Sequence, residues 1–333
     1  MTGCCKLPIK QSMSTNNEPK DRLCWAVSDG KAGMENQCVG LAQAAGFEPV
    51  VKRIALRQPW NTLVPFLRVG LEHAFTENSS PLTPPWPDLL ITTGRRSLAA
   101  SLYVKKASKG YTKTVQIQDP VISPKHFDLI IVPQHDTLRG DTVLVTQGSI
   151  HNITAEKLQL AATQWQPRVA HLPPPYVSVL IGGANAVYRF DAQAMTTVCD
   201  QLVAMAKREG VSLLVTPSRR TGEENTRILR EKLAAVPSLV WDGVGDNPYH
   251  AFLGLAASII VTADSVNMVC EAASTGKPVQ VIPLAGGSKK FTSFHASMQE
   301  KGITRLFSGG LERWDYAPLD DVQRAVTAVR GLL

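Results

Sequence analysis

No stretch of this 333-residue chain reaches the roughly 18 uninterrupted apolar residues that a membrane-spanning helix needs. Residues 1–20 lack the apolar segment of a secretion signal; carrying Lys6, Lys10, Asn16, Asn17 and Glu18, they read as a flexible tail. Cysteine is sparse, six in all, with no CxxC and no mixed Cys/His spacing. That excludes a disulfide scaffold or zinc module and favours a reduced, cytoplasmic compartment. Basic residues form no runs interleaved with aromatics, so nucleic acid is not an expected partner. GxGxxG, a P-loop ending in GK[ST] and a paired-acid DxD are all missing, and Tyr103 is followed by Lys105 and Lys106, not by Tyr-x-x-x-Lys. These absences count against a nicotinamide fold, a P-loop hydrolase, a metal-dependent sugar-nucleotide site and a dinucleotide-dependent epimerase. No metal and no resident cofactor is expected.

What is present suits a folded protein: 44% hydrophobic and 19% charged residues, with a net charge of +7. The length accommodates two domains. A modest positive balance suits anionic partners such as nucleotide phosphates or an acidic lipid surface, and so allows peripheral attachment to a membrane.

Short β-rich runs alternate with helical ones. Strands are expected at 23–28, 49–54, 88–93, 114–118, 128–132 and 142–146, and again at 177–181, 211–216, 239–241, 258–261, 279–283 and 303–307. Helices are expected near 34–45, 193–208 and 320–333. The pattern predicts an α/β protein of two Rossmann-like parallel-sheet domains facing across a cleft. Pro173, Pro174 and Pro175 make a stiff spacer. The expected organisation is a first domain at 21–165, a linker at 166–175, a second domain at 176–317, and a terminal helix at 318–333.

Polar residues gather where these strands end. Ser258–Leu284 reads as strand, polar turn, helix, Gly-Lys-Pro stop and strand, with Asp264 or Ser265 as cap, Asn267 at the helix start and Glu271 inside it. In the first half, DGKAGMENQ (29–37) offers Asp29, Gly30, Lys31, Gly33, Glu35, Asn36 and Gln37; its glycines let the backbone approach a ligand. Arg95, Asp119, His135 and Asp136 follow other strands, and Asp119, Asp136, His135 and Glu35 are the candidates for removing an acceptor proton. In the second half, Gly182, Gly183 and Asn185 form a tight loop, and Ser218, Arg219 and Arg220 suit a diphosphate. Asn247, Lys289, Lys290 and His295 follow later strands. Every one of these residues also serves as an ordinary cap or turn residue in other proteins.

The 258–284 block resembles the donor half of GT-B glycosyltransferases. With WAVSDGKAGMENQCVGLAQAAG, DLLITTGRRSLAA, VQIQDP, FDLIIVPQHD, LIGGANAVYRFD, TPSRRT, DNPYHAFLGLA, VTADSVNMVCEAASTGKPV and KFTSFH, the chain resembles the mitochondrial-fission family named for elongated mitochondria. Bacterial members of that family carry a glycosyltransferase assignment. The resemblance implies a GT-B-like fold and a nucleotide-diphosphate-sugar donor held by Gly182, Gly183, Asn185, Ser218, Arg219, Arg220, Asn247, Asp264, Ser265, Asn267 and Glu271. It implies an acceptor, lipid-linked or of the cell envelope, at Asp29, Gly30, Lys31, Gly33, Asn36, Gln37 and Arg95. The fission members imply the alternative of a non-catalytic adaptor that recruits a protein partner at a membrane surface.

Overall fold

The computed structural model describes residues 22–134 and 136–333. The elements run β1 (Cys24–Ser28), α1 (Ala32–Ala44), β2 (Val50–Arg53), α2 (Trp60–Leu63), β3 (Leu89–Thr93), α3 (Leu98–Ala107), β4 (Lys113–Ile117), β5 (Leu129–Pro133), β6 (Val143–Thr146) and α4 (Ala155–Val169). There follow β7 (Tyr176–Ile181), β8 (Tyr188–Arg189), α5 (Ala192–Glu209), β9 (Ser212–Pro217), α6 (Glu223–Leu233), β10 (Ser238–Val240), α7 (Tyr249–Leu255) and β11 (Ser258–Thr262). The chain ends with α8 (Val266–Ala273), β12 (Val279–Ile282), β13 (Ala285–Gly286), α9 (Lys289–Glu300), β14 (Thr304–Leu306) and α10 (Asp321–Arg330). Each of the twelve expected strands is present, with ends within one residue of the expected ones.

They form two six-stranded sheets, ordered β2-β1-β3-β4-β5-β6 and β10-β9-β7-β11-β12-β14. All neighbours within each sheet are parallel. These are two Rossmann-like domains, and the second has the doubly wound order that reverses between β7 and β11. The inner strands read as continuous apolar runs because helices cover both faces. In the first lobe Cys24, Ala26 and Ile91 pack towards α1 and α10, while Trp25, Val27 and Leu90 pack towards α3. Each such Leu or Ile contributes about 1.5–3 kcal/mol by leaving water. Helix α5 shows how ends are set: Asp191 Oδ1 accepts from the Ala194 amide at 2.9 Å, and Gly210 ends the helix at φ +65°.

The chain changes lobes earlier than the proline triplet suggests. Ile150 belongs to the first core, whereas Ile153 and Leu158 belong to the second. The expected linker at 166–175 therefore begins inside α4, which carries Pro167 within it and packs on α7 of the second lobe. Burial of α4's Leu158 and Val169 against that lobe outweighs the breaking tendency of one proline. Near its end the chain returns: Leu319 packs on the second core and Ala325, Val326 and Val329 on the first. The two passages lie side by side. Buried Asp321 accepts from the Gln147 amide at 2.9 Å and the Gly148 amide at 2.8 Å. Residues 1–21, including the expected tail, lie outside the described residues.

Candidate functional site

The carboxyl ends of β4, β5 and β6 open into a cavity of about 340 Å3 between the lobes, closed from the other side by Val266, Asn267 and Lys290. The first turns of α1 and α8 meet at its edge. Gln37 Nε2 donates to Asn267 Oδ1 at 3.2 Å, and a methyl added to Gly33 would lie 3.4 Å from Asn267 Nδ2. Two helix N-termini thus converge, each carrying partial positive charge.

Asp119 lines this cavity. Its Oδ1 accepts from the Val121 amide at 2.8 Å, and among the described residues no cation pairs with it. Gln118 and Val121, on either side, adopt left-handed backbone at φ +80° and +60°, which non-glycine residues reach at a cost of order 1–3 kcal/mol and which clusters at functional sites. Asp136 lines the same cavity but is bound to Lys290 Nζ at 2.7 Å, a contact from one lobe to the other. His135 lies outside the described residues.

The remaining first-lobe candidates sit apart from the cavity. Glu35 is gripped by Arg53 through both carboxylate oxygens at 2.8 Å, and the guanidinium holds its carboxyl below the usual range. A carboxylate so paired is a poor proton acceptor. Asp29, nearly buried, pairs with Lys31 at 3.1 Å and Arg96 at 3.7 Å, while its Oδ1 has no hydrogen-bond partner. Gly30, at φ +83°, donates to Ser28 Oγ, and Asn36 is exposed on α1. Arg95 is expected at the cleft, but its guanidinium turns back to donate to Val64 O at 2.6 Å and to Thr62 O. Two carbonyls of the 58–70 loop hold it more strongly than open water does.

In the second lobe, Gly182, Gly183, Asn185, Asp264 and Arg220 do form one cluster, but its centre is a protein carboxylate. Asp264, without exposed side-chain surface, accepts from Gly183 N at 3.1 Å and Thr262 Oγ1 at 2.6 Å and pairs with Arg220 at 2.7 Å. Asn185 Nδ2 donates to Asp264 O at 3.2 Å. A methyl on Gly182 would fall 2.2 Å from that carboxylate, and one on Gly183 would fall 1.9 Å from Arg220 O. The glycines are therefore required by this packing, and the Gly183 amide, expected to face a diphosphate, is spent on Asp264. Ser218 caps the 3-10 turn Arg219–Thr221, accepting from Arg220 N. Arg219 is exposed and lines a separate surface recess of about 590 Å3 with Ser218 and Arg227. Ser265 caps α8 through the Met268 amide, and Asn247, exposed, accepts from Tyr249 N at 3.0 Å.

Glu271 is not at the ligand-facing end of its helix. It lies in the last turn of α8, largely buried, and accepts from Tyr249 OH at 2.5 Å. Burial pushes its carboxyl up to about 7, and the Tyr249 hydrogen bond opposes that shift. Tyr249 carries no local sign of this role, although a lone acid inside the apolar helix VNMVCEAA requires a donor nearby. The antiparallel ribbon of β8 and β13, which joins the loops after β7 and β12, is marked locally only by Gly286 and Gly287 at φ +105° and +114°. Among the described residues no group of three or more His, Cys, Asp or Glu side chains is arranged to hold a metal.

Residues 32–333 match the family described as Mitochondrial fission ELM1. The chain belongs to this family. A relative from Arabidopsis thaliana, Mitochondrial fission protein ELM1, is 31% identical over 271 residues, covering 73% of this chain and 63% of that protein. The chain thus spans less than two thirds of that family member. An uncharacterized protein of Rickettsia prowazekii is 26% identical over 353 residues, covering 93% of this chain and 98% of its own. Among solved structures, UDP-GlcNAc 2-epimerase from Methanocaldococcus jannaschii superposes with a TM-score of 0.52 at 11% identity, over 92% of both chains. That likeness is one of fold: this chain has two Rossmann-like lobes in a GT-B-like arrangement.

Proposed function

We propose that the chain is a glycosyltransferase that moves a sugar from a nucleotide-diphosphate donor to an acceptor in the interlobe cavity. The observation that carries this reading is the placement of Asp119, an acid with no paired cation among the described residues, on the wall opposite the first turn of α8. Asp119 takes the proton from an acceptor hydroxyl. The hydroxyl oxygen then forms the new glycosidic bond as the bond from sugar to diphosphate breaks. Amides of the α8 first turn, with Lys290, receive the charge that develops on the leaving diphosphate. Arg219 belongs to the nucleotide side of this reading, whereas Glu271, bonded to Tyr249 in the last turn of α8, supports that helix from its far end. A lipid-linked or cell-envelope acceptor matches the positive balance of the chain. That an epimerase shares the architecture means that fold alone does not choose between transfer and epimerisation.

The test is thermal-shift screening against nucleoside diphosphates and their sugars. A bound donor raises the melting temperature in a concentration-dependent way. A flat response across the panel sinks the proposal.

One observation favours a second reading, a non-catalytic adaptor acting with a protein partner, in line with the fission role in the Arabidopsis relative's name. The Gly183 amide and Arg220 are satisfied within the protein, so the second lobe offers fewer free anion donors than a donor pocket wants. If Asp119→Asn and Arg219→Ala leave cellular function intact while a surface substitution abolishes it, the adaptor reading prevails.

A further inference from the structure

Four exposed apolar side chains of the first lobe sit on two adjoining loops. In the 58–70 loop, Leu63, Phe66 and Val69 are 47%, 67% and 80% exposed, and Val121 of the neighbouring 121–126 loop is 63% exposed. This exposure does not come from a slack loop. Val64 and Leu71 anchor it in the core, Trp60 Nε1 donates to Val69 O at 3.0 Å, and Arg95 holds Thr62 O and Val64 O. Arg68 joins the two loops through His126 Nε2 at 2.5 Å. A rigid tip that shows three large apolar groups to water is costly without something to cover it.

We propose that this face docks the first lobe on an anionic lipid bilayer, with Leu63, Phe66 and Val69 entering the headgroup boundary. Two features favour lipid over a protein partner. The carbonyls of Thr62, Leu63, Val64 and Val69 are already taken by groups of the same lobe, which lowers the cost of leaving water at those positions. Cations flank the tip: Arg57, Arg68 and Lys125 are exposed. Neither Arg68 nor Lys125 pairs with a carboxylate among the described residues, while Glu77 meets Arg57 at 3.9 Å and Glu72 stands beside them. Burial and the charges of Arg68 and Lys105 hold His126 below its usual range, so it leaves the Arg68 charge in place. Apolar tips with neighbouring cations are the two signals that together give stable attachment to acidic membranes. The inference does not depend on the transferase reading.

The full chain is sedimented with vesicles of phosphatidylcholine, with and without about 30% phosphatidylserine. Binding is expected only to the anionic vesicles, weakening with salt. Arg68→Glu weakens it by roughly tenfold, and replacing Leu63, Phe66 and Val69 together by serine abolishes it at an unchanged melting temperature. Val244→Ser, at a 75% exposed site on the second lobe, leaves it unchanged. Should the triple variant fail to fold, Phe66→Trp supplies the readout: its emission shifts to the blue on anionic vesicles only. No sedimentation of the wild type, equal binding by Arg68→Glu, or a wild-type dimer that the serine variant breaks into monomers overturns the proposal.

Discussion

Gln37 and Asn267, 230 positions apart in sequence, share a 3.2 Å hydrogen bond that ties the first turn of α8 to α1 across the cleft. Gln37 is buried and Lys290 is largely exposed, so this tie and the one from Asp136 to Lys290 differ in worth. Gln37→Ala costs about 1 kcal/mol, the net value of one such bond. Lys290→Ala costs roughly 0–1 kcal/mol. Gln147 Nε2 still donates to Ser297 Oγ at 2.9 Å and Lys157 Nζ to Gln43 Oε1 at 3.1 Å, so the double variant loosens the lobes without separating them, and the radius of gyration in small-angle scattering is expected to rise. An unchanged radius in the double variant rules out these contacts as the closing device.

The two arginines of the Arg219–Thr221 turn are expected to behave differently. Arg220→Ala strands the carboxylate of Asp264; Thr262 and Gly183 still donate and water reaches the 40% exposed arginine site, so about 2 kcal/mol is lost rather than the larger cost of breaking a fully buried pair. Arg219→Ala changes stability by less than about 0.5 kcal/mol, yet weakens nucleotide binding on the transferase reading. Urea titration and ligand titration separate the two. Equal stability losses contradict the assignment of Arg220 to the fold.

Glu271 makes stability depend on pH. Its folded carboxyl sits near 7, above the usual value of 4.5, so the folded state binds the proton more tightly. Its contribution is fully present below about pH 4.5 and is lost as pH rises through 7, amounting to about 3 kcal/mol. His151, which burial pushes down to about 4, acts oppositely, adding stability as pH rises towards 6.5. The comparison must therefore be between proteins. Glu271→Gln is expected to gain on the wild type between pH 5 and pH 8 (roughly 2–3 kcal/mol). Parallel stability curves for the two proteins refute a raised Glu271.

Asp119→Asn keeps an oxygen for the Val121 amide while removing the base. Transfer is expected to fall roughly 100- to 10,000-fold with donor binding intact. Glu35→Gln breaks an ion pair whose arginine is exposed and which does not line the cavity, so the rate stays within roughly threefold. Steady-state kinetics with the donor found by thermal shift decide this. A larger loss in the Glu35 variant would reverse the two roles.

The inner strands were legible because they are short apolar runs whose neighbours bury them on both faces, as in LLITT of β3 and YVSVLI of β7. Helix ends were legible where a local residue sets them, as at Asp191 and Gly210. The site was less so. Asp264 reads equally well as a ligand-facing acid or as the anchor of the Gly182–Gly183 loop, and only the arrival of Arg220 from another strand end decides which. The meetings of Gln37 with Asn267 and of Asp136 with Lys290 depend on how two lobes dock. Local pattern carries no record of that. Helix α4 was missed for a related reason: its apolar stripe is thin, and burial against α7 supplies what propensity lacks.

Asp321 clasps the amides of Gln147 and Gly148 where the outgoing and returning segments run together. The two chain crossings between the lobes thus lie along one short seam, like covers on a spine. Sliding or free swivelling would tear both segments at once, which leaves swinging about that seam as the cheap motion. The farther a side chain lies from Asp321, the wider its arc on closure.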